Sequence, residues 1–443
     1  MRESRRTSRR GQARWLAAAM VLLLIGWFAW RLAEVRRHRR VVAAARAEMR
    51  AGRHGHAARI LTTLRPGSPG RDEADYLLGV CEKARGREGL AEEAWSRVPA
   101  GSPFAARAIQ GLMDLKIHRG RLSEAERLVE RALADPRIDA GALQVFLGMV
   151  YSLEGRVADG RRLLAADWRR LAAAGEGASE RAIQLVRLHV TLSLDSGSDD
   201  ATRAYLDQAA RQAADDDRVW LGRANLAIRS GALDEAARWL DACLRKRPDD
   251  GAVWRARLDW AVAAGRIESA RAAMGHLPAA NASPICVRRL AAWLAAHGRQ
   301  NHPEVKRRGI ERLVELDPSD ASAVDRLAGL VGAEPSSSRL AEVRRRVDET
   351  CRLEARYREL HHRNQPIRDA AELGRLAWRL GRPFEAEAFL TLAVAADPDR
   401  TDLRDELAHV VRASAEARRP LATAGLTLDQ AVASELDAAR HPG

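Results

Sequence analysis

Cysteine is scarce in this 443-residue chain: Cys81, Cys243, Cys286 and Cys351 stand far apart without a C-x-x-C pair. That spacing excludes a disulfide framework and a thiolate zinc site, and each thiol reads as filler for a small apolar niche. Lysine is as rare, with only Lys83, Lys116, Lys246 and Lys306, and none follows a glycine, so there is no Walker A phosphate loop. Neither H-E-x-x-H nor G-x-S-x-G occurs. His54/His56 and His361/His362 are the only close histidine pairs, and without paired Cys or acidic ligands they read as solvated turn and helix residues. Aromatics are 5% of the chain, and no apolar/polar alternation of useful length marks a strand. No catalytic, cofactor or metal site is therefore expected.

What is abundant is arginine. The net charge is +14, but residues 1–40 hold eleven Arg against two Glu, a charge of +9, which leaves +5 for the rest. A nucleic-acid-binding body would carry its charge as a patch on the folded domain, so that function is disfavoured. The Arg- and Ala-rich composition suggests a GC-rich bacterial genome.

After the arginines at 2, 5, 6, 9, 10 and 14 comes an unbroken apolar run from Trp15 to Trp30. Extended as a helix to Val35 it would rise about 31 Å, the thickness of a bilayer core. Trp15, Trp27 and Trp30 stand near its ends, where indole rings favour the interface. A cleaved signal peptide and a buried helix are the rival readings; the block Arg36-Arg37-His38-Arg39-Arg40 and the lack of an A-x-A site favour a retained single-pass anchor over 15–35, behind a basic segment 1–14. The arginine-rich flanks nearly cancel, so orientation stays open, with an extracytoplasmic body slightly favoured.

Beyond the anchor, glycine recurs at Gly52, Gly86, Gly120, Gly155, Gly197, Gly231, Gly265 and Gly298, at intervals of 34, 34, 35, 42, 34, 34 and 33. A small residue follows five positions after most of them, at Ala57, Ala91, Ala125, Gly160, Ala236 and Ala270, and an apolar one four further on. A left-handed glycine ends one helix and the small residue admits the next, so each unit is a helical hairpin. Prolines at Pro103, Pro136, Pro248, Pro318 and Pro398 close several units.

These residues resemble the tetratricopeptide repeat family. The clearest unit, 217–250, carries Trp220, Ala224, Ala227, Gly231, Ala236, Leu240, Cys243 and Pro248 at signature positions, and 367–400 carries Leu373, Gly374, Ala377, Gly381, Ala386, Leu390, Ala393 and Pro398. The resemblance implies an all-α solenoid of helical hairpins, a right-handed superhelix, with about eight hairpins over 36–320. An irregular unit at 321–366 should follow, with one long charged helix over 336–362. A further repeat at 367–400, a closing helix and a flexible tail to residue 443 complete the expected domains. The long interval between Gly155 and Gly197 should extend a helix.

In the family the first helices line a concave groove. Transferring the inward positions gives Arg107, Gln110, Asp114 and His118, then Arg187, Arg218, Asn225, Arg229, Arg255, Asp259 and Arg288, of which Arg187, Arg218, Asn225, Arg229, Arg255 and Arg288 are the expected partner contacts. Guanidinium forks suit carboxylates, so the expected partner is another protein or an acidic peptide segment. A loose likeness to bacterial repeat chains found beside propeller-type extracytoplasmic domains suggests such a partner. The expected function is a non-enzymatic, membrane-anchored scaffold; the alternatives are an accessory subunit of an envelope enzyme and a helical-repeat nucleic-acid binder.

Overall fold

The computed structural model describes residues 27–440 apart from 29, 32, 66, 67, 69, 139, 195–198, 299–301, 317–320, 332–337 and 418–424. Among the described residues every named element is a helix, and the one β-type feature is an isolated antiparallel bridge between Pro278 and Thr427. The chain divides into two compact units, 1–119 with 124–143, and 120–123 with 144–443.

The first unit includes a helix over residues 33–50 (α1). There follow α2 (His54–Thr62), α3 (Arg71–Ala84), α4 (Glu88–Ser96) and α5 (Ala105–His118), while α6 (Leu122–Leu133) and α7 (Ala140–Leu153) carry the chain between the units. Val42 and Ala45 of α1 are buried with Ala57, Leu61, Leu77 and Leu78. Trp95 of α4 fills the space made by two glycines: a Cβ at Gly111 would stand 2.8 Å from its ring, and one at Gly79 would collide with its indole nitrogen, which donates to the Tyr76 carbonyl at 3.1 Å.

The membrane localisation expected from an anchor at 15–35 is corrected here. Residues 1–26 lie outside the described residues, and among the described residues no helix is long and apolar enough to cross a membrane. The described end of the anticipated span runs into α1, whose Arg36, Arg37, Arg39 and Arg40 precede a stretch that is packed in the repeat core.

The second unit contains α8 (Val157–Ala173), α9 (Glu180–Leu194), α10 (Asp199–Gln212), α11 (Asp217–Arg229), α12 (Leu233–Lys246), α13 (Gly251–Ala263) and α14 (Ile267–Gly275). A short 3-10 turn, Ala279–Asn281, leads to α15 (Pro284–His297), α16 (Pro303–Leu316), α17 (Ala321–Val331) and the 26-residue α18 (Ser338–Arg363). The unit ends with α19 (Ala370–Arg379), α20 (Pro383–Ala396), α21 (Thr401–Ala417) and α22 (Leu428–Arg440). Consecutive helices pair as hairpins: α8 with α9, α11 with α12, α13 with α14, α15 with α16, and α19 with α20.

Two departures from simple stacking stand out. First, α9 packs against α18 and α20, so a hairpin near residue 180 shares one core with a repeat near residue 380, through Leu164, Trp168, Val186, Phe389 and Leu390. Second, residues expected as a tail form α22, which buries Leu428, Ala431 and Val432 against α14 and α15. The Leu428 amide donates to Leu277 O at 2.7 Å and the Ala279 amide to Leu426 O at 3.0 Å, which fixes where α22 begins.

The turn glycines Gly52, Gly86, Gly120, Gly155, Gly231, Gly265 and Gly381 hold φ between 66° and 75°, as the hairpin reading requires, whereas Gly298 ends α15 at φ −57°. Gly197, expected in the same role, lies outside the described residues. Gly231 has open space where a Cβ would go, while a Cβ at Gly155 would run into Asn225. Gly231→Ala should therefore lose about 1–2 kcal/mol from left-handed strain alone, and Gly155→Ala clearly more. Urea unfolding midpoints check this; equal losses would show that the Gly155 contact carries no weight.

Candidate functional site

The inward residues expected to bind a partner are mostly engaged within the chain. Asp216 and Asp250 start α11 and α13 by accepting backbone amides, Asp216 from Arg218 and Val219, Asp250 from Ala252 and Val253. Arg218, only 5% exposed, reaches from α11 to the Asp250 carboxylate at 2.8 Å. Asp217 in turn meets Arg247, so opposite charges join α11 to the turn before α13. These pairs fasten one repeat to the next.

Asn225 donates from Nδ2 to the Glu154 carbonyl at 2.8 Å, and Arg255 pairs with Asp159 at 3.0 Å. Arg162 donates to Asn281 O at 3.3 Å. From its preceding turn onward, α8 thus bridges in order to α11, to α13 and to the 3-10 turn. The Asp159 carboxyl is held down although burial opposes it, because Arg156 and Arg255 supply positive charge and Arg156 and Arg162 hydrogen-bond to it. Arg229 pairs with Asp199 at 3.1 Å. Of the six expected contacts only Arg187 and Arg288 are cations that make no ion pair among the described residues. Arg187 is exposed on α9, and Arg288 is half-buried on α15 with its Nε donating to Pro284 O at 3.3 Å. Nothing brings the six together around one ligand position.

A different cluster is brought together, one that sequence reasoning misses. Glu385 on α20 is fully buried. Its carboxylate accepts from Tyr357 Oη on α18 at 2.7 Å, from Ser193 Oγ on α9 at 3.1 Å and from Arg161 on α8 at 3.3 Å, with His189 Nδ1 at 3.4 Å and Arg382 at 3.9 Å. Phe384 closes one side, edge-on to Trp168 and 4.4 Å from the His189 ring, with Arg169 over its face. A signal existed: α20 reads PFEAEAFLTLAVAA, apolar around most of its circumference, so a carboxylate inside it needs an internal partner.

Burial alone would raise the Glu385 carboxyl, but bonds from His189 and Tyr357 and the Arg161 charge outweigh it and hold the group below the usual carboxylate range. Burial, helped by the charges of Arg161 and Arg169, holds His189 below the usual imidazole range against the pull of Glu385. The arrangement is a polar junction tying four helices, with no metal-binding group of His, Cys, Asp and Glu among the described residues.

With this geometry in view, residues 194–258 match the family model described as tetratricopeptide repeat. The match covers the α10–α13 region, where the capped, glycine-turned hairpins are most regular. Residues 194–258 therefore carry the tetratricopeptide-repeat pattern. No curated protein matches it significantly. Similar solved structures include a tetratricopeptide repeat protein from Parabacteroides merdae, 13% identical over 66% of this chain and 98% of that one, with a TM-score of 0.25. The TPR domain of P58(IPK) is 14% identical over 86% of this chain and 99% of that one, with a TM-score of 0.23.

The junction implies a pH response. An unfolded chain binds a proton at histidine near pH 6.5 and at glutamate near pH 4.3, whereas the folded chain resists both. Stability should therefore fall as pH drops below about 6.5, and further through the carboxylate range. Glu385→Ala should cost about 1–3 kcal/mol at pH 7.5 by leaving the buried Tyr357 hydroxyl without its acceptor, and His189→Gln should flatten the decline between about pH 6.5 and 5. Thermal melts across that range check both; a parent melt independent of pH would refute the neutral, buried His189.

Proposed function

We propose that the protein is a non-enzymatic scaffold that binds another protein through an acidic segment. Its class supports this: stacked hairpins give an extended surface with many addressable side chains. The observation that carries the reading is the sorting of its inward cations. Arg218, Arg229 and Arg255 are neutralised by Asp250, Asp199 and Asp159, while Arg187 and Arg288 keep their charge for something else. Among these inward cations, the two that find no carboxylate within the chain are where an external carboxylate has room.

Photo-crosslinking residues placed one turn before Arg187 and Arg288, at the exposed positions 184 and 285, used in the source cells with identification of the products, should recover one recurrent protein. Arg187→Ala and Arg288→Ala should reduce its capture without changing the melt. Arg218→Ala should instead lower stability by about 1–3 kcal/mol, because it removes a buried charge-assisted bond to the Asp250 carboxylate. Failure to capture any protein from either position would overturn the reading.

A further inference from the structure

On the second unit's surface, α15, α16 and α22 enclose a crevice of about 250 Å³. Its floor is small and apolar, Ala291, Ala292, Ala295 and Val305, and beside it α16 approaches α15 closely at Gly309. A Cβ there would stand 2.6 Å from the Ala296 nitrogen and 2.9 Å from the Ala292 carbonyl. Its rim carries Arg288, Arg308 and Arg312, with Leu436 and one acid, Glu435, facing from α22. Arg312 is held by Glu315 at 2.9 Å, whereas Arg288 and Arg308 make no ion pair among the described residues. The crevice is thus an apolar slot under a rim that is positive on balance.

Its size separates the candidate occupants. Sites for small organic ligands are roughly 300–1,000 Å³ and enclose most of the ligand, and this one is smaller and opens to the surface. One bulky side chain of a partner fits it, and anchors of that kind, set in pockets and ringed by polar contacts, dominate binding energy at interfaces. Two guanidinium groups without an ion pair among the described residues stand beside the slot and select carboxylates next to that anchor.

We propose that the α15–α16–α22 crevice is the docking point for a partner segment with one large apolar side chain, Leu or Phe, flanked by Asp or Glu. The inference rests on the protein-binding reading and locates it away from the inward faces of α11 and α13, which α8 already bridges. Arg288 is the residue common to both. Arg308, the neighbour of Gly309 in α16, is not among the sequence-derived contacts, because second helices were not expected to face a ligand.

The test uses the full chain and a fluorescein-labelled peptide, EDELFEDE, followed by fluorescence anisotropy. Saturable binding should weaken about three- to tenfold in Arg288→Ala and in Arg308→Ala, and at least about tenfold in Ala295→Leu, which fills the slot from a half-buried position. Glu435→Gln should tighten it. The peptides EDEAAEDE and KRKLFKRK should not bind. Circular dichroism melts of each variant confirm folding, and the arginine variants, on the rim, keep the test decisive if Ala295→Leu disturbs packing. No saturable binding, or binding indifferent to all three weakening variants, overturns the proposal. In that event, photo-crosslinked capture of a partner would leave the scaffold reading standing, and its absence would remove both.

Discussion

A carboxylate buried from water has to be paired or it destabilises the fold, and in the second unit Glu385 meets that condition by joining α8, α9 and α18 to α20. The groups closest to its oxygens, Tyr357, Ser193, Arg161 and His189, come from three other helices rather than from its own. Around this polar centre lies the apolar packing of Trp168, Val186, Phe389 and Leu390, so the directional bonds fix which faces of α8, α9, α18 and α20 meet. Apolar burial supplies most of the stabilisation; the carboxylate supplies the register.

That junction has consequences for what the repeats can bind. With α8 bonded to α20 on one side through Arg161, its polar residues Asp159 and Arg162 reach Arg255 and the Asn281 carbonyl on the other. Side chains that would face a ligand in a regular stack are thus used to hold the chain's own helix. Some of the positive charge that finds no carboxylate lies where later helices meet, at the α15–α16 crevice beside α22.

The repeat was legible in the sequence because its determinants are local. Gly231 and Gly381 turn the chain at positive φ where the spacing places them, and Trp220, Ala236 and Leu240 mark helix faces at fixed offsets. The helix Ser338–Arg363 is visible as an uninterrupted charged pattern. What was not legible depends on contacts between distant residues. Arg218 sits at an inward position by register, but its burial depends on Asp250, 32 residues on. Glu385 and His189 are 196 residues apart, and no periodicity links them. The helix Leu428–Arg440 reads as tail in the sequence because its apolar face is short, and it is ordered by the backbone bonds of Leu277 and Ala279.

The central claim is that one buried carboxylate couples helices from two distant stretches of the chain, and hydrogen exchange read helix by helix tests it directly. In the Glu385→Ala protein, amides of α8, α9, α18 and α20 should lose protection together, since each contributes a group to the junction. Loss confined to α20, with α8, α9 and α18 protected as in the parent, would show that apolar packing alone joins them and would contradict the account.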